Sequence, residues 1–575
     1  MRCRTSFFNG AIYRSCLKRY WPVWASLSLL WVLLLPLPIL NMSGNFFTVR
    51  ADDWLAAVGG YGGVVISFSF ALVAAMAVYS WLYNVRSTGF TAALPVKREA
   101  MFLSCWAAGY TMLAVPGVLT ALLCLLAGMG SRGIGTAVLV WLGQYLLMSL
   151  LFFGFASLCA LLTGTMWVLP AVYAVLNVAA TVLWLFLSAI LEEMLYGFTT
   201  DGLPALAADL SPIVKLFTIE WDIAVFEDWL PLLCYGAFGI VASLLALLLM
   251  KKRRMECATD VVSVNFLKPV FRWCAAISAA LGLGMVLYLI FCSGGKSAVA
   301  MGVFLLIGGF IGWFAAEMLV RKSYRVASCL KTFPIFAALV IVFTVSCTRG
   351  FFGYETRIPA ADSIRSVVVN YRGIAFSISD PADIQFLREV HQEIVDCRDE
   401  DNGGYCWVEL DYRLSSGIHM TRSYFSRAMS EASIQKIEGM ASRAEQRELR
   451  ELLNGKQWGY TYGCYHDDGL EVDGNLDLSE RESRALVRDY LLPALERGEL
   501  RSTWQSRDDV PWDDAQYFSL TLSFSGVPFD GQYTYRYYEY YITPKSAELF
   551  NEMKRLLETQ AEWQDQPAEV EDGMW

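Results

Sequence analysis

Between residues 21 and 347 the apolar side chains run in blocks of about 20, the length a helix needs to cross roughly 30 Å of hydrocarbon at about 1.5 Å per residue. Nine blocks stand out, near 21–40, 61–83, 103–128, 137–162, 165–190, 229–250, 273–292, 299–320 and 331–347. The last is short and must use nearly every residue from Lys331 to Cys347, with Pro334 in its first turn. After residue 350 the pattern changes to alternation and amphipathic stripes. Val367, Val369, Phe376 and Ile378 predict one or two strands. Asp380 and Pro381 then open a helix with Ile384, Leu387, His391 and Ile394 along one stripe. Cys406, Val408, Leu410 and Tyr412 alternate with Glu409, Asp411 and Arg413, as a strand buried on one face does. Ser479 and Glu482 form a capping box for a helix over about 480–496. Phe518, Leu520, Leu522 and Phe524 predict a strand, Asp530-Gly531 a turn, Tyr533–Ile542 a partner strand, and Thr543-Pro544 the start of a last helix. The expected fold is a polytopic α-helical membrane protein of about nine transmembrane helices followed by an α+β soluble domain.

Composition agrees with two solvents. The 575 residues are 55% hydrophobic and 18% charged, too apolar for one water-soluble globule. Residues 1–350 carry 23 basic and 14 acidic side chains, whereas 351–575 carry 23 basic and 41 acidic ones. The basic residues of the first part cluster in alternate loops: Arg2, Arg4, Arg14, Lys18 and Arg19; Arg86, Lys97 and Arg98; 251–272; and 321–331. By the positive-inside rule these loops and the amino terminus are cytoplasmic. The 191–228 loop is acidic, and if all nine blocks cross, the tail is extracytoplasmic. Basic residues confined to short loops read as orientation, which removes nucleic acid as a partner. The first apolar run continues through Pro36 and Pro38 without a cleavage site, so it is a retained span rather than a signal peptide. Residues 1–20 form an amphipathic cytoplasmic segment. Phe8, Ile12, Cys16 and Tyr20 share one face, Arg14 and Lys18 another, an arrangement suited to membrane lipid at the inner interface. An ordinary basic flank accounts for the same residues equally well.

Chemistry is conspicuous mainly by what the spans lack. The first seven contain no Asp, Glu, Lys, Arg or His in their interiors, with Gln144 and Asn177 the main amides. Glu317, one turn before Arg321, reads as an interfacial ion pair rather than a proton relay. Ala280 and Gly284, and Gly308 and Gly312, have the small-xxx-small spacing of close helix packing, while Pro116 and Pro170 bend or begin their spans. Gly294-Gly295-Lys296-Ser297 lacks the first glycine of a P-loop, since that position is Ile290, and no hydrolase, zincin or EF-hand pattern is present. No cofactor is expected. His391, His419 and His466 are dispersed, and His466-Asp467-Asp468 lacks diagnostic metal spacing. Cys397, Cys406 and Cys464 allow one disulfide with one thiol left over.

The loop between the second and third blocks reads Leu94-Pro95-Val96-Lys97-Arg98-Glu99-Ala100-Met101-Phe102. It resembles the LP-v-(S/K)-R-x-x-x-F segment of bacterial ABC transporter permeases of the type-2 export class. The likeness extends over about residues 5–250 to an amphipathic leader, six spans and a larger outer loop between the fifth and sixth. It implies that this subunit forms a translocation path and docks a separate ABC ATPase, as a homodimer or heterodimer of permease subunits. The ATPase-coupling residues it suggests are Arg86, Pro95, Lys97, Arg98 and Glu99, Pro95 stiffening the elbow and the charges orienting the partner. The implied organisation is a six-helix permease-like domain over 21–250, three additional helices over 251–347, an α+β domain over 351–560 and an acidic tail over 561–575. The additions look similar to elaborated permeases of Gram-positive bacteria. Two rival readings are a membrane-anchored sensor using the carboxy-terminal domain and, weakened by the absence of clustered His, Asp or Glu, a lipid-modifying enzyme. Tyr533, Tyr535, Tyr537, Tyr538, Tyr540 and Tyr541 read as a sheet core with a tyrosine-rich exposed face, or as a surface for a peptide or glycan.

Overall fold

The structure is a computed structural model. It describes residues 7–42, 51–129, 134–200, 204–219, 221, 229–253, 260, 263–264, 266–292, 297–323, 332–371, 374–396, 407–417, 419–425, 429–455, 457–467, 474–501, 516–529 and 532–564. The chain forms two compact units, one of Met1–Leu195 and Thr200–Phe352, the other of Tyr196–Thr199 and Gly353–Trp575.

The first unit is helical. Helix α1 (Gly10–Arg19) precedes the first long apolar helix, α2 (Trp21–Asn41). The others that are long and apolar enough to cross a membrane are α3 (Trp54–Val78), α5 (Arg98–Ala127), α6 (Ile134–Leu162), α7 (Val168–Met194), α10 (Trp229–Lys252), α11 (Leu267–Phe291) and α12 (Ala298–Arg321), eight in all among the described residues. Short helices lie between them: α4 (Val85–Ala93), α8 (Ala205–Asp209) and α9 (Pro212–Thr218). The second crossing starts earlier in the chain than the apolar pattern suggests. Trp54 and Leu55 open it, and it ends at Val78, where Ser80–Leu82 turn in a short 3-10 segment. The ninth block is also helical, α13 (Phe333–Thr348), but its 16 residues are fewer than in any of the eight.

Helix α6 is the most enclosed crossing and packs against α3, α5 and α10. Its Trp141 and Tyr145 stack on each other and meet Trp31 edge-on, with ring centroids 5.2 to 5.6 Å apart. Pro116 sits inside a continuous α5, and the Tyr145 hydroxyl donates to the Leu113 carbonyl in the turn the proline loosens. Asn177 donates to the Tyr173 carbonyl at 2.8 Å, and Gln144 is buried. The small residues act as their spacing predicts. A Cβ at Gly308 would lie 2.6 Å from the Ala279 carbonyl oxygen, and one at Gly312 would lie 2.7 Å from that of Ala275. Backbones of α11 and α12 therefore approach to a distance no larger residue permits. Glu317 is 2% exposed and pairs with both Arg321 (2.6 Å) and Arg272 (3.0 Å), so the expected pair is a triad.

The second unit holds two four-stranded antiparallel sheets. Strands β1 (Ile364–Tyr371) and β2 (Ile374–Ile378), helix α14 (Pro381–Asp396), strands β3 (Trp407–Leu414) and β4 (His419–Phe425) and helix α15 (Glu431–Leu453) make one ββαββα module. Strands β5 (Trp458–Asp467) and β6 (Gly474–Leu478) follow. Helix α16 comes next, built from Glu480–Leu486, a π turn over Val487–Leu491 and Leu492–Glu496. Strands β7 (Gln516–Phe529) and β8 (Gln532–Ile542) and helix α17 (Ala547–Gln564) complete a second module. The sheet orders, β2-β1-β3-β4 and β6-β5-β7-β8, are identical after renumbering. The domain is a tandem structural repeat, which no motif in the chain announces. Helix α17 begins only at Ala547, because Ser546 first closes a turn onto the Thr543 carbonyl.

Helix α15 joins the modules. Ile437, Met440 and Ala441 fill the first core, whereas Leu449 and Leu452 belong to the second. The Tyr540 hydroxyl donates to the Glu445 carboxylate, and Arg536 pairs with Glu448 at 3.1 Å. The aromatic strand alternates as sheet geometry requires: Tyr538 and Tyr540 are buried, Tyr537 is exposed and Tyr541 half-buried. Gly294, Gly295, Lys296, Cys397, Cys406, Asp468, Asp530 and Gly531 lie outside the described residues.

Candidate functional site

The basic end of the first unit carries the suggested coupling residues on one continuous stretch. Asn84 caps α4, its carboxamide oxygen accepting from the Arg86 N–H at 3.0 Å. Thr88 is buried and donates to the Trp81 carbonyl at 2.8 Å, which pins α4 to the turn after α3. The helix stops at Leu94, whose extended backbone is what a following proline imposes. Pro95 and Lys97 continue this connector, and α5 starts at Arg98 with Glu99 in its first turn, where a carboxylate suits the helix dipole.

The five residues lie along one stretch of chain, but they do different things. Arg98 donates to the Arg253 carbonyl at 3.1 Å, and Glu99 pairs with Lys251 at 3.1 Å. Both fasten the start of α5 to the end of α10. Lys97 lies over the Phe7 ring at 5.8 Å. Arg86 is exposed on α4. Beside it stand two apolar side chains that sequence reasoning passed over, Val85 at 65% and Phe90 at 71% exposure. Their sign in the chain was two large apolar residues in a nine-residue helix with none other, too short for a periodic stripe.

The same end is braced from behind. Arg253 is only 4% exposed and donates to the Ala160 and Leu161 carbonyls at 3.1 and 3.0 Å, capping the last turn of α6. Asn9 caps α1 and takes the Ser104 hydroxyl as acceptor for its N–H at 2.8 Å, and Tyr20 meets Ser80 at 2.7 Å. Ile12, Cys16 and Tyr20 lie half-buried against the helices, with Arg14 and Lys18 exposed, so the predicted stripe is occupied by protein. Phe8 is exposed. Between α1 and α4 lies an open cavity of about 730 Å3, lined by Ile12, Cys16, Arg19, Trp81, Arg86 and Phe90 among others.

A second constellation lies in the soluble unit. His391 is fully buried between two phenols, with Nδ1 3.0 Å from the Tyr412 hydroxyl and Nε2 2.7 Å from that of Tyr424. With the ring neutral, one hydroxyl donates to the bare nitrogen and the other accepts from the protonated one. Burial, helped by the nearby Arg422 guanidinium, pushes the His391 pKa down to about 3. Burial raises both tyrosines above their ordinary value. Arg422, 1% exposed, donates to the Tyr354 carbonyl at 2.9 Å and lies 3.6 Å from the centre of that ring. No group of three or more His, Cys, Asp or Glu side chains with metal-binding geometry occurs among the described residues. His466 stacks on Tyr517.

The chain matches no protein-family model, no curated protein and no solved structure.

Proposed function

We propose that this chain is the membrane-spanning permease subunit of an ABC exporter, forming the translocation path and coupling to a separate ATPase subunit. The observation that carries this reading is the braced ledge at the basic end of the bundle. A short helix with Arg86, Val85 and Phe90 outward is held by Thr88 and Asn84 and closed by a proline elbow. An exposed apolar pair beside a cation, mounted on a rigid turn, is the surface chemistry of a protein contact centred on an aromatic anchor. The contacts of Arg98 and Glu99 with the end of α10 give them a transmitting role. A push on α4 reaches the starts and ends of α5, α6 and α10 through the Arg98, Glu99 and Arg253 contacts. Under this reading the protein is a multi-pass cell-membrane protein with a cytoplasmic amino terminus, working as a homodimer or heterodimer of permease subunits.

The test is purification of the full-length chain from native membranes. Arg86→Glu with Phe90→Asp should reduce the co-purifying ATP-hydrolysing subunit by at least about tenfold, equivalent to about 1.4 kcal/mol of binding. Chain abundance should stay unchanged. Undiminished co-purification, or no ATP-hydrolysing partner with the wild type, sinks the proposal. The sensor reading draws on a different feature, the size of the soluble unit, and a histidine kinase as the sole co-purifying partner would favour it.

A further inference from the structure

Residues 196–199 lie in the chain between two long apolar helices, α7 and α10, yet they are built into the soluble unit. The Tyr196 N–H donates to the Glu355 carboxylate at 2.8 Å, and the Gly197 carbonyl accepts from the Ser423 N–H at 3.3 Å. The Tyr196 ring packs 5.2 Å from Tyr424, and Phe198 packs 5.7 Å from Tyr354. Ser423 belongs to β4, an edge strand of the first sheet, so the segment occupies part of an edge that would otherwise stand open. The fit is specific to glycine. Gly197 has φ +71°, and a Cβ there would lie 2.2 Å from the Tyr424 ring. Glu355 is itself only 2% exposed, and the Tyr196 amide is one of its donors.

We infer that the β4 edge, with Tyr354 and Glu355, is an intramolecular docking site for Tyr196–Thr199, and that this capture obliges the short helix α13 to cross the bilayer. A folded, polar domain stays on one side of a membrane. Its two pieces, Tyr196–Thr199 and Gly353–Trp575, must therefore be separated by an even number of crossings. Helices α10, α11 and α12 supply three, and α13 must be the fourth. The packing of α13 agrees independently. A Cβ at Gly302 would meet the Thr344 side chain and one at Gly309 would meet Phe336. As the chain ascends α12 from 302 to 309 it descends α13 from 344 to 336, so α13 runs antiparallel to α12 and returns to the end where α12 began. At about 1.5 Å per residue its 16 residues cover about 24 Å, a shortfall that local thinning and end-residue adjustment accommodate. The soluble domain then shares a side with the acidic 191–228 loop, and by the positive-inside rule that side is extracytoplasmic. This inference stands apart from the ABC reading, since it needs neither an ATPase nor a cargo.

The experiment uses the full-length chain with one epitope inserted between Asp222 and Ile223 and another after Trp575, probed with antibody in intact and in permeabilised cells. Both epitopes should be labelled in intact cells, each changing less than about twofold on permeabilisation, since the antibody cannot cross the bilayer. Epitopes on opposite sides overturn the inference. Docking itself is read by hydrogen exchange. Gly197→Val should speed exchange in 419–425 by at least about tenfold and leave 516–529 unchanged. If it loosens both sheets, Tyr196→Ala, which keeps the glycine, gives the decisive reading. Faster exchange confined to 419–425 supports docking, and unchanged exchange there overturns it.

Discussion

The two ββαββα modules have one topology and two kinds of core. In the second, Phe518, Leu520, Leu522 and Phe524 from β7 meet Leu476, Leu486, Leu491 and Met553 in a nearly all-apolar interior. In the first, the matching strands β3 and β4 place Tyr412, Arg422 and Tyr424 on the core face, and the matching helix α14 adds His391. Topology is thus carried by the alternation of buried positions, which both modules keep. The chemistry at those positions is free to specialise. The polar hub lies beside the edge that holds Tyr196–Thr199, whereas the apolar core holds only its own module and the end of α15.

That contrast can be broken most severely in the second module. Phe518 is fully buried, and Phe518→Ala should cost about 3–5 kcal/mol, read as a fall in unfolding temperature with hydrogen exchange rising in 458–564 before 364–425. A smaller loss is expected at the joint. Tyr540→Phe removes the hydroxyl that donates to Glu445 and should cost about 1.5–3 kcal/mol, the range for a hydrogen bond to a charged group. Both modules should loosen, because Glu445 lies on the shared helix.

Acid should distinguish the cores next. The folded His391 pKa, about 3, lies below the unfolded value of about 6.5, so the unfolded chain binds the proton first as pH falls. Its effect is absent above about pH 6.5, and stability is lost by about 1.4 kcal/mol per unit between about 6.5 and 3. Unfolding temperatures measured from pH 7 to 5 should show this slope in exchange from the first module, and His391→Gln should flatten it. The smallest effects should be equal in the two modules. Asp380 caps α14, its carboxylate accepting from the Ala382 N–H at 3.0 Å, and Ser479 caps α16 in a full capping box. Asp380→Ala and Ser479→Ala should each cost about 1 kcal/mol in chemical denaturation. A large difference between them would show that the modules do not share a local folding logic.

These elements also mark what can be read from a chain without coordinates. Run length alone locates the spans, because lipid leaves backbone groups no partner but their own helix. The capping residues Asp380 and Ser479, the stripe through His391 and the alternation in β3 and β7 are local patterns, and each is where the pattern places it. Strand β4 and helix α15 were not legible. The first buries an arginine where its alternation calls for an apolar residue, and the apolar stripe of the second, Ile434, Ile437, Met440 and Ala441, is diluted by its many Glu and Arg residues. The repeat is invisible because its modules share topology and not residue type. At the candidate site, the proline elbow was legible as chemistry. That Arg98 and Glu99 reach α10, more than 150 positions away in sequence, depends on packing that no local spacing encodes. The capture of Tyr196–Thr199 involves four residues, too few for any periodicity.

The central functional claim is that the membrane unit has no motor of its own and takes force through its basic ledge. Its most direct test is ATP hydrolysis by the detergent-purified full-length chain, measured before and after removal of every co-purifying polypeptide. The account predicts hydrolysis only while a second subunit is present and none from the single chain. Sustained hydrolysis by the chain alone would contradict it.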